Sequence, residues 1–191
     1  MNVFVSGWAV VPQDINCEII DSTKIVAEYK TIENISQNFD KIFPQNIETL
    51  TAWSMGAIIV LGVLSKIKAK KNILYSPTLK FVENEIVLEE LKKLRQNVCE
   101  NKETAIKLFS RKCGIPKELV DVNYYTTEEL LAGLDFLEKT EISKIIKPEN
   151  CEISVIYGTN DKIISPKSSL EVAEKFGVKP TIILNGNHFS P

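Results

Sequence analysis

Apolar residues along the chain fall in short runs that stop abruptly on small or polar residues, alternating with stretches in which they recur every three or four positions. Val3 to Val5, closed by Ser6-Gly7, predicts a buried strand ending in a tight turn. Cys17 to Ile20 predicts a second strand, followed by a weak strand or turn over Lys24 to Tyr29. Leu50 to Trp53 predicts a third strand and runs straight into Met55 to Ile67, apolar enough for a buried helix, so strand, turn and helix meet at Ser54. Asn72 to Tyr75 predicts a strand stopped by Ser76-Pro77. Between Glu83 and Gly114 the period lengthens: Leu91, Leu94 and Val98, then Ala105, Leu108 and Phe109, predict two amphipathic helices. Thr126-Thr127-Glu128-Glu129 has the form of a helix start, with a Ser/Thr cap and early acids, leading into Leu130 to Leu137. Glu152 to Tyr157 predicts a strand ending at Gly158, Ser168 to Phe176 a helix closed by Gly177, and Thr181 to Leu184 the last strand.

Strands alternating with helices predict an α/β fold of about six mainly parallel strands with flanking helices, and in such sheets chemistry sits in the loops beyond the strand C-terminal ends. A length of 191 residues suits one domain, 1–191. The 23 basic against 25 acidic side chains give a net charge of -2, which supplies no field for nucleic acid. The longest apolar run after the N-terminal segment Met1 to Pro12 is Ala57 to Leu64, far short of the roughly 20 residues that span a bilayer. No CxxC pair occurs among Cys17, Cys99, Cys113 and Cys151, and there is one histidine, so no metal site is expected. The cysteines read as buried free thiols in a reducing, cytoplasmic setting. The Lys-rich run 66–71 reads as a solvated helix end.

Three polar residues follow predicted strands: Ser54, Asp161 and His188. Ser54 lies in Ala52-Trp53-Ser54-Met55-Gly56, a near match to G-x-S-x-G with Ala for the first Gly. Small neighbours allow strand and helix to pack closely while the serine oxygen stays exposed, although serine before an apolar helix is also an ordinary N-cap. Asp161 equally suits an Asx-type turn, and His188 could be a solvated residue near the chain end. A serine nucleophile nevertheless needs a base near neutral pH and a carboxylate to orient it. The order Ser54, Asp161, His188 on successive strand ends is that of α/β hydrolases. The oxyanion hole is expected from the backbone N–H groups of Met55, after the nucleophile, and Trp8, in the loop after the first strand.

Ser6-Gly7-Trp8, Trp53-Ser54-Met55-Gly56, Leu130 to Leu137, Ile142 to Ile146, Ser154 to Asp161 and Asn187-His188-Phe189-Ser190-Pro191 together resemble the BioH-type pimeloyl-acyl-carrier-protein methyl ester esterases of biotin synthesis. The likeness covers most of the chain and is weakest over Gln13 to Ile47 and through the helical insertion 77–137, which the resemblance implies is a lid. It implies a minimal hydrolase trimmed at both ends, with one poorly covered sheet edge that a homodimer could bury. Ser6 stands where the family has histidine, a change expected to loosen the oxyanion loop.

Residues 91–113 carry seven basic side chains against Glu100 and Glu103, and both arginines of the chain, Arg95 and Arg111. The resemblance makes Lys107, Arg111 and Lys112 candidates for binding an acidic acyl carrier protein, though a solvated helix face would look the same. The apolar faces of these helices could line an acyl channel. The activity the resemblance implies is hydrolysis of a pimeloyl-carrier methyl ester by Ser54, His188 and Asp161, which implies no cofactor. A carboxylesterase or thioesterase with another small acyl substrate, and a non-catalytic binding protein of the same fold, stay open beside it.

Overall fold

The computed structural model describes residues 1–10, 17–149 and 151–189. Val11 and Pro12 of the N-terminal segment, and Ser190-Pro191 of the histidine loop, lie outside them. Six strands form one sheet in the order β2-β1-β3-β4-β5-β6, every pairing parallel. They are β1 (Asn2–Val5), β2 (Glu18–Ile20), β3 (Ile47–Trp53), β4 (Ala69–Tyr75), β5 (Glu152–Gly158) and β6 (Thr181–Ile183). In the central strands fully buried positions such as Leu50, Ala52, Leu74 and Val155 alternate with half-buried ones such as Thr51, Ile73 and Ser154, so one face of the sheet is sealed more completely than the other.

The expected helix after Ser54 is α4 (Met55–Val63), apolar on every side because it lies wholly in the core, and a 3₁₀ turn, Leu64–Lys66, extends it. The Lys-rich run does not remain a helix end. Lys70 and Lys71 open β4, paired with Glu48 and Glu152.

Lys24 to Tyr29, expected as strand or turn, belongs instead to a helix, α1 (Ser22–Tyr29). Its β-branched residues suggested strand, but Asp21 caps the first turn by accepting from Thr23 and Lys24 N–H, and the buried stripe Ser22, Thr23, Val26 packs inward. Two short helices, α2 (Ile32–Gln37) and α3 (Phe39–Ile42), complete a region where the sequence pattern was mute.

The insertion between β4 and β5 holds α5 (Glu85–Cys113), a 3₁₀ turn at Lys117–Leu119 and α6 (Thr127–Lys139). α5 is two helical segments, as the periodicity predicts, because Asn101 departs from helical dihedrals (φ -154°, ψ 88°) and caps the second segment through Thr104 N–H. The expected helix start is that of α6, where Thr126 and Glu129 form a capping box. Last comes α7 (Pro166–Phe176), closed by Gly177 in the left-handed conformation. The cysteines depart from expectation: Cys113 and Cys151 are buried free thiols, but Cys99 is exposed and Cys17 half-buried. β6 is an outer strand whose neighbourhood exposes Ile182 and Leu184. No described helix is long and apolar enough to cross a membrane.

Candidate active site

β3 delivers Ser54 to the C-terminal edge of the sheet in a conformation that non-glycine residues rarely adopt, φ 56° and ψ -120°. The turn is held by the Ser54 N–H, which donates to the Tyr75 carbonyl at 3.1 Å. It is also held by Gly56, where any Cβ would collide with the Ser6 and Val5 carbonyl oxygens. Only glycine lets the first turn of α4 approach the end of β1 this closely, whereas Ala52 fits the fully buried strand with its methyl. Ser54 makes no side-chain capping bond to its helix. Its Oγ lies 2.8 Å from His188 Nε2, which removes the N-cap explanation for the residue.

His188 Nδ1 lies 2.8 Å from Asp161 Oδ2, with both side chains essentially sealed from solvent. A solvated terminal histidine is therefore excluded. Asp161 does also serve as a turn residue: its Oδ1 accepts from the N–H groups of Ile163 (2.8 Å) and Ile164 (3.0 Å), leaving Oδ2 for the imidazole. Burial pushes the Asp161 carboxyl up, but the hydrogen bond and charge of His188 together with the two amides outweigh it, and its pKa lies below the usual carboxylate value.

The histidine loop is tied on two sides. Trp53 Nε1 donates to the His188 carbonyl at 2.9 Å, and Phe189 N–H donates to the carbonyl of Cys113, the last residue of α5, at 2.8 Å. The Trp53 ring also packs 5.1 Å from the imidazole and 5.2 Å from Phe189. None of these supports was legible beforehand. Nor was Ser76, whose hydroxyl donates to Asp161 Oδ2 at 2.8 Å; the available signal was its position just beyond a strand, the one Ser54 and Asp161 share.

The loop after β1 runs beside the elbow, with Gly7 packed so closely on the Trp53 ring that no Cβ would fit, which brings the segments of Trp8 and Met55 together. The Trp8 side chain is buried, donates from Nε1 to the Leu130 carbonyl of α6 at 3.0 Å, and meets Phe109 of α5 edge-on at 4.8 Å. Ser6, the residue expected to loosen this loop, bonds to Ser22 through both its hydroxyl and its carbonyl. It is fully buried, accepts from Ser22 N–H (3.3 Å) through its hydroxyl, and takes the Ser22 hydroxyl on its carbonyl (2.6 Å), so a small residue anchors the loop to α1.

A cavity of about 310 Å³ opens between the two segments of α5 and reaches the acid loop at Ile163. Leu91, Leu94, Leu108 and Phe109 supply apolar walls, and Lys93, Lys112 and Lys162 stand among the lining residues. Of the three expected carrier contacts, Lys107 pairs with Glu103 and Lys112 with Glu90 across the cleft, while Arg111 is exposed. Arg95 is engaged inside the insertion, bonded to Asp135 and Glu138 of α6. No cluster of three His, Cys, Asp or Glu placed to hold a metal occurs among the described residues.

A parallel six-stranded sheet with a strained serine elbow and the chain order Ser, Asp, His is the α/β-hydrolase fold. No family model and no curated protein matches the sequence. Among solved structures, an esterase from Exiguobacterium antarcticum superposes with a TM-score of 0.76 at 12% identity, covering 98% of this chain and 84% of that one. BioG from Haemophilus influenzae superposes at 0.66 with 18% identity over 99% and 88% of the two chains. The type II thioesterase BorB, from the borrelidin biosynthetic cluster, superposes at 0.59 with 12% identity over 98% and 85%. At such identities the likeness establishes the fold, while the chemistry must be argued from the site.

Proposed function

We propose that the protein is a serine hydrolase of acyl esters, with Ser54 as nucleophile, His188 as general base and acid, and Asp161 as the group that orients the imidazole. The observation that carries this reading is the buried chain from Ser54 Oγ to His188 to Asp161, each link 2.8 Å, built on a strained elbow. Ser54 Oγ attacks the ester carbonyl carbon as its proton passes to His188 Nε2. The Trp8 and Met55 N–H groups hold the resulting oxyanion, each such donor being worth roughly 3 to 4 kcal/mol in comparable sites. Collapse of the tetrahedral intermediate breaks the bond to the alcohol oxygen, which leaves with the proton from His188. Water, deprotonated by the same nitrogen, then attacks the acyl-enzyme and releases the free acid and Ser54.

The substrate we propose is a methyl ester at the end of a pimeloyl-like chain borne on an acyl carrier protein, so that methanol is the first product. The motif resemblance supports this, and so does a cleft beside the acid loop, lined by neither Ser54 nor His188, whose apolar walls suit methylenes and whose lysines suit an acidic carrier or its phosphopantetheine. Lys107, Arg111 and Lys112 are the proposed carrier contacts, two of them exchanging Glu103 and Glu90 for the partner's acids. The test compares carrier-bound and free methyl esters. The carrier reading expects the bound ester to be preferred, and the preference to fall when Lys107, Arg111 and Lys112 are replaced by Ala. Equal rates on both esters, or faster cleavage of an acyl thioester, contradict it.

A further inference from the structure

β4 lies between the strand that presents Ser54 and the strand that leads to Asp161, and its C-terminal end touches both. The Tyr75 carbonyl accepts from the Ser54 N–H, while Ser76, the next residue, donates its hydroxyl to Asp161 Oδ2 at 2.8 Å. His188 Nδ1 reaches that same oxygen at 2.8 Å. The other oxygen is occupied by the Ile163 and Ile164 amides, so the carboxylate has four donors, two on each oxygen. Ser76 is 2% exposed and its own N–H donates to the Ile156 carbonyl at 2.8 Å, continuing the β4–β5 ladder. Its φ of 45° lies in the left-handed region, which favours glycine.

We propose that Ser76 is a positioning residue of the triad: its hydroxyl fixes the rotation of the Asp161 carboxylate and shares the charge of Oδ2, setting from β4 how strongly that oxygen holds the His188 ring. The terminal torsion of a carboxylate is soft, and the two amides restrain only Oδ1. A second donor on Oδ2, mounted on a backbone already bonded to β5, defines where that oxygen lies. The oxygen is then left less charge with which to attract the Nδ1 proton. The inference rests on the serine-hydrolase reading, and a readout that does not depend on turnover separates the two.

The chain has one histidine, so the proton on Nδ1 gives one downfield signal in the NMR spectrum without competing assignments. In Ser76→Ala the signal moves further downfield, because the remaining hydrogen bond to Oδ2 shortens. Ser76→Gly removes the hydroxyl while relieving the left-handed backbone, and the same displacement is expected there. Both variants lose about tenfold in kcat with KM within about twofold, the signature of an interaction that matters in the transition state. A signal at the wild-type position in both folded variants overturns the proposal, whatever their activity. Absence of esterase activity in the wild-type protein would refute the hydrolase reading and leave the signal to decide Ser76 by itself.

Discussion

The C-terminal rim of the sheet and the helical insertion above it are held by different means. At the rim, position is set largely by backbone: a serine at φ 56°, a glycine against two carbonyl oxygens, and an aspartate with one oxygen held by two amides of its own loop. The insertion is held by apolar packing into the common core and by side-chain bonds. Arg95 fastens α5 to α6, Lys102 reaches the Tyr125 carbonyl, the Tyr125 hydroxyl reaches the Val10 carbonyl, and Trp8 reaches α6 from below. Reactive geometry therefore resides in a frame that few substitutions can shift without destroying it. The surface of the insertion can be retuned residue by residue.

The largest effect should come from the rim. Asp161→Asn leaves the shape of the site in place but presents the wrong hydrogen-bonding partner to Nδ1, and kcat on a p-nitrophenyl ester should fall by about 10⁴. Next is Gly56→Ala, expected to cost about 3 kcal/mol in denaturant unfolding, since its methyl meets main-chain atoms that cannot move independently. If Gly56→Ala were as stable as the wild type, the claim that backbone fixes the rim would fail.

In the insertion the expected changes are smaller. Trp8→Phe keeps most of the buried ring but removes the Nε1 bond to the Leu130 carbonyl, which still accepts within α6, and should lower stability by about 1 kcal/mol and raise KM more than it lowers kcat. Arg95→Met should cost about 1 kcal/mol or less in unfolding, because the Arg95 side chain retains some exposure to solvent. A loss in kcat comparable to that of Asp161→Asn from either substitution would erase the distinction between the two regions.

The smallest effect is a pH dependence. Asp161 has a depressed pKa in the folded protein, so its contribution to stability is complete above the ordinary carboxylate range and disappears as the pH falls through its lower folded value. The melting-temperature gap between wild type and Asp161→Asn should therefore be constant near neutrality and close below about pH 4, the unperturbed value for Asp. A gap that widens on acidification would contradict this sign.

What was legible in the sequence follows the same division. Ser54, Asp161 and His188 could be read because each follows a short apolar run that forms a strand, and because one histidine leaves one possible imidazole base. The two segments of α5 could be read from their period, and Asn101 supplies the break. α1 could not, since its helix depends on the Asp21 cap and on inward packing, which outweigh its local preference. Ser76 was visible only as the end of a strand, because its hydrogen bond spans 85 residues of chain. The engagement of Lys107 and Lys112 by glutamates was likewise beyond a tally of charge along the chain, since Glu90 faces Lys112 only after α5 breaks.

The account turns on Ser54 being a nucleophile activated by His188. Treating the protein with a fluorophosphonate probe and mapping the adduct by mass spectrometry tests this without assuming any substrate. The expected result is one adduct, on Ser54, that is absent in Ser54→Ala and slowed by at least about 10³ in His188→Ala. No adduct on the wild-type protein, or labelling of Ser54 that is equally fast without His188, would contradict it.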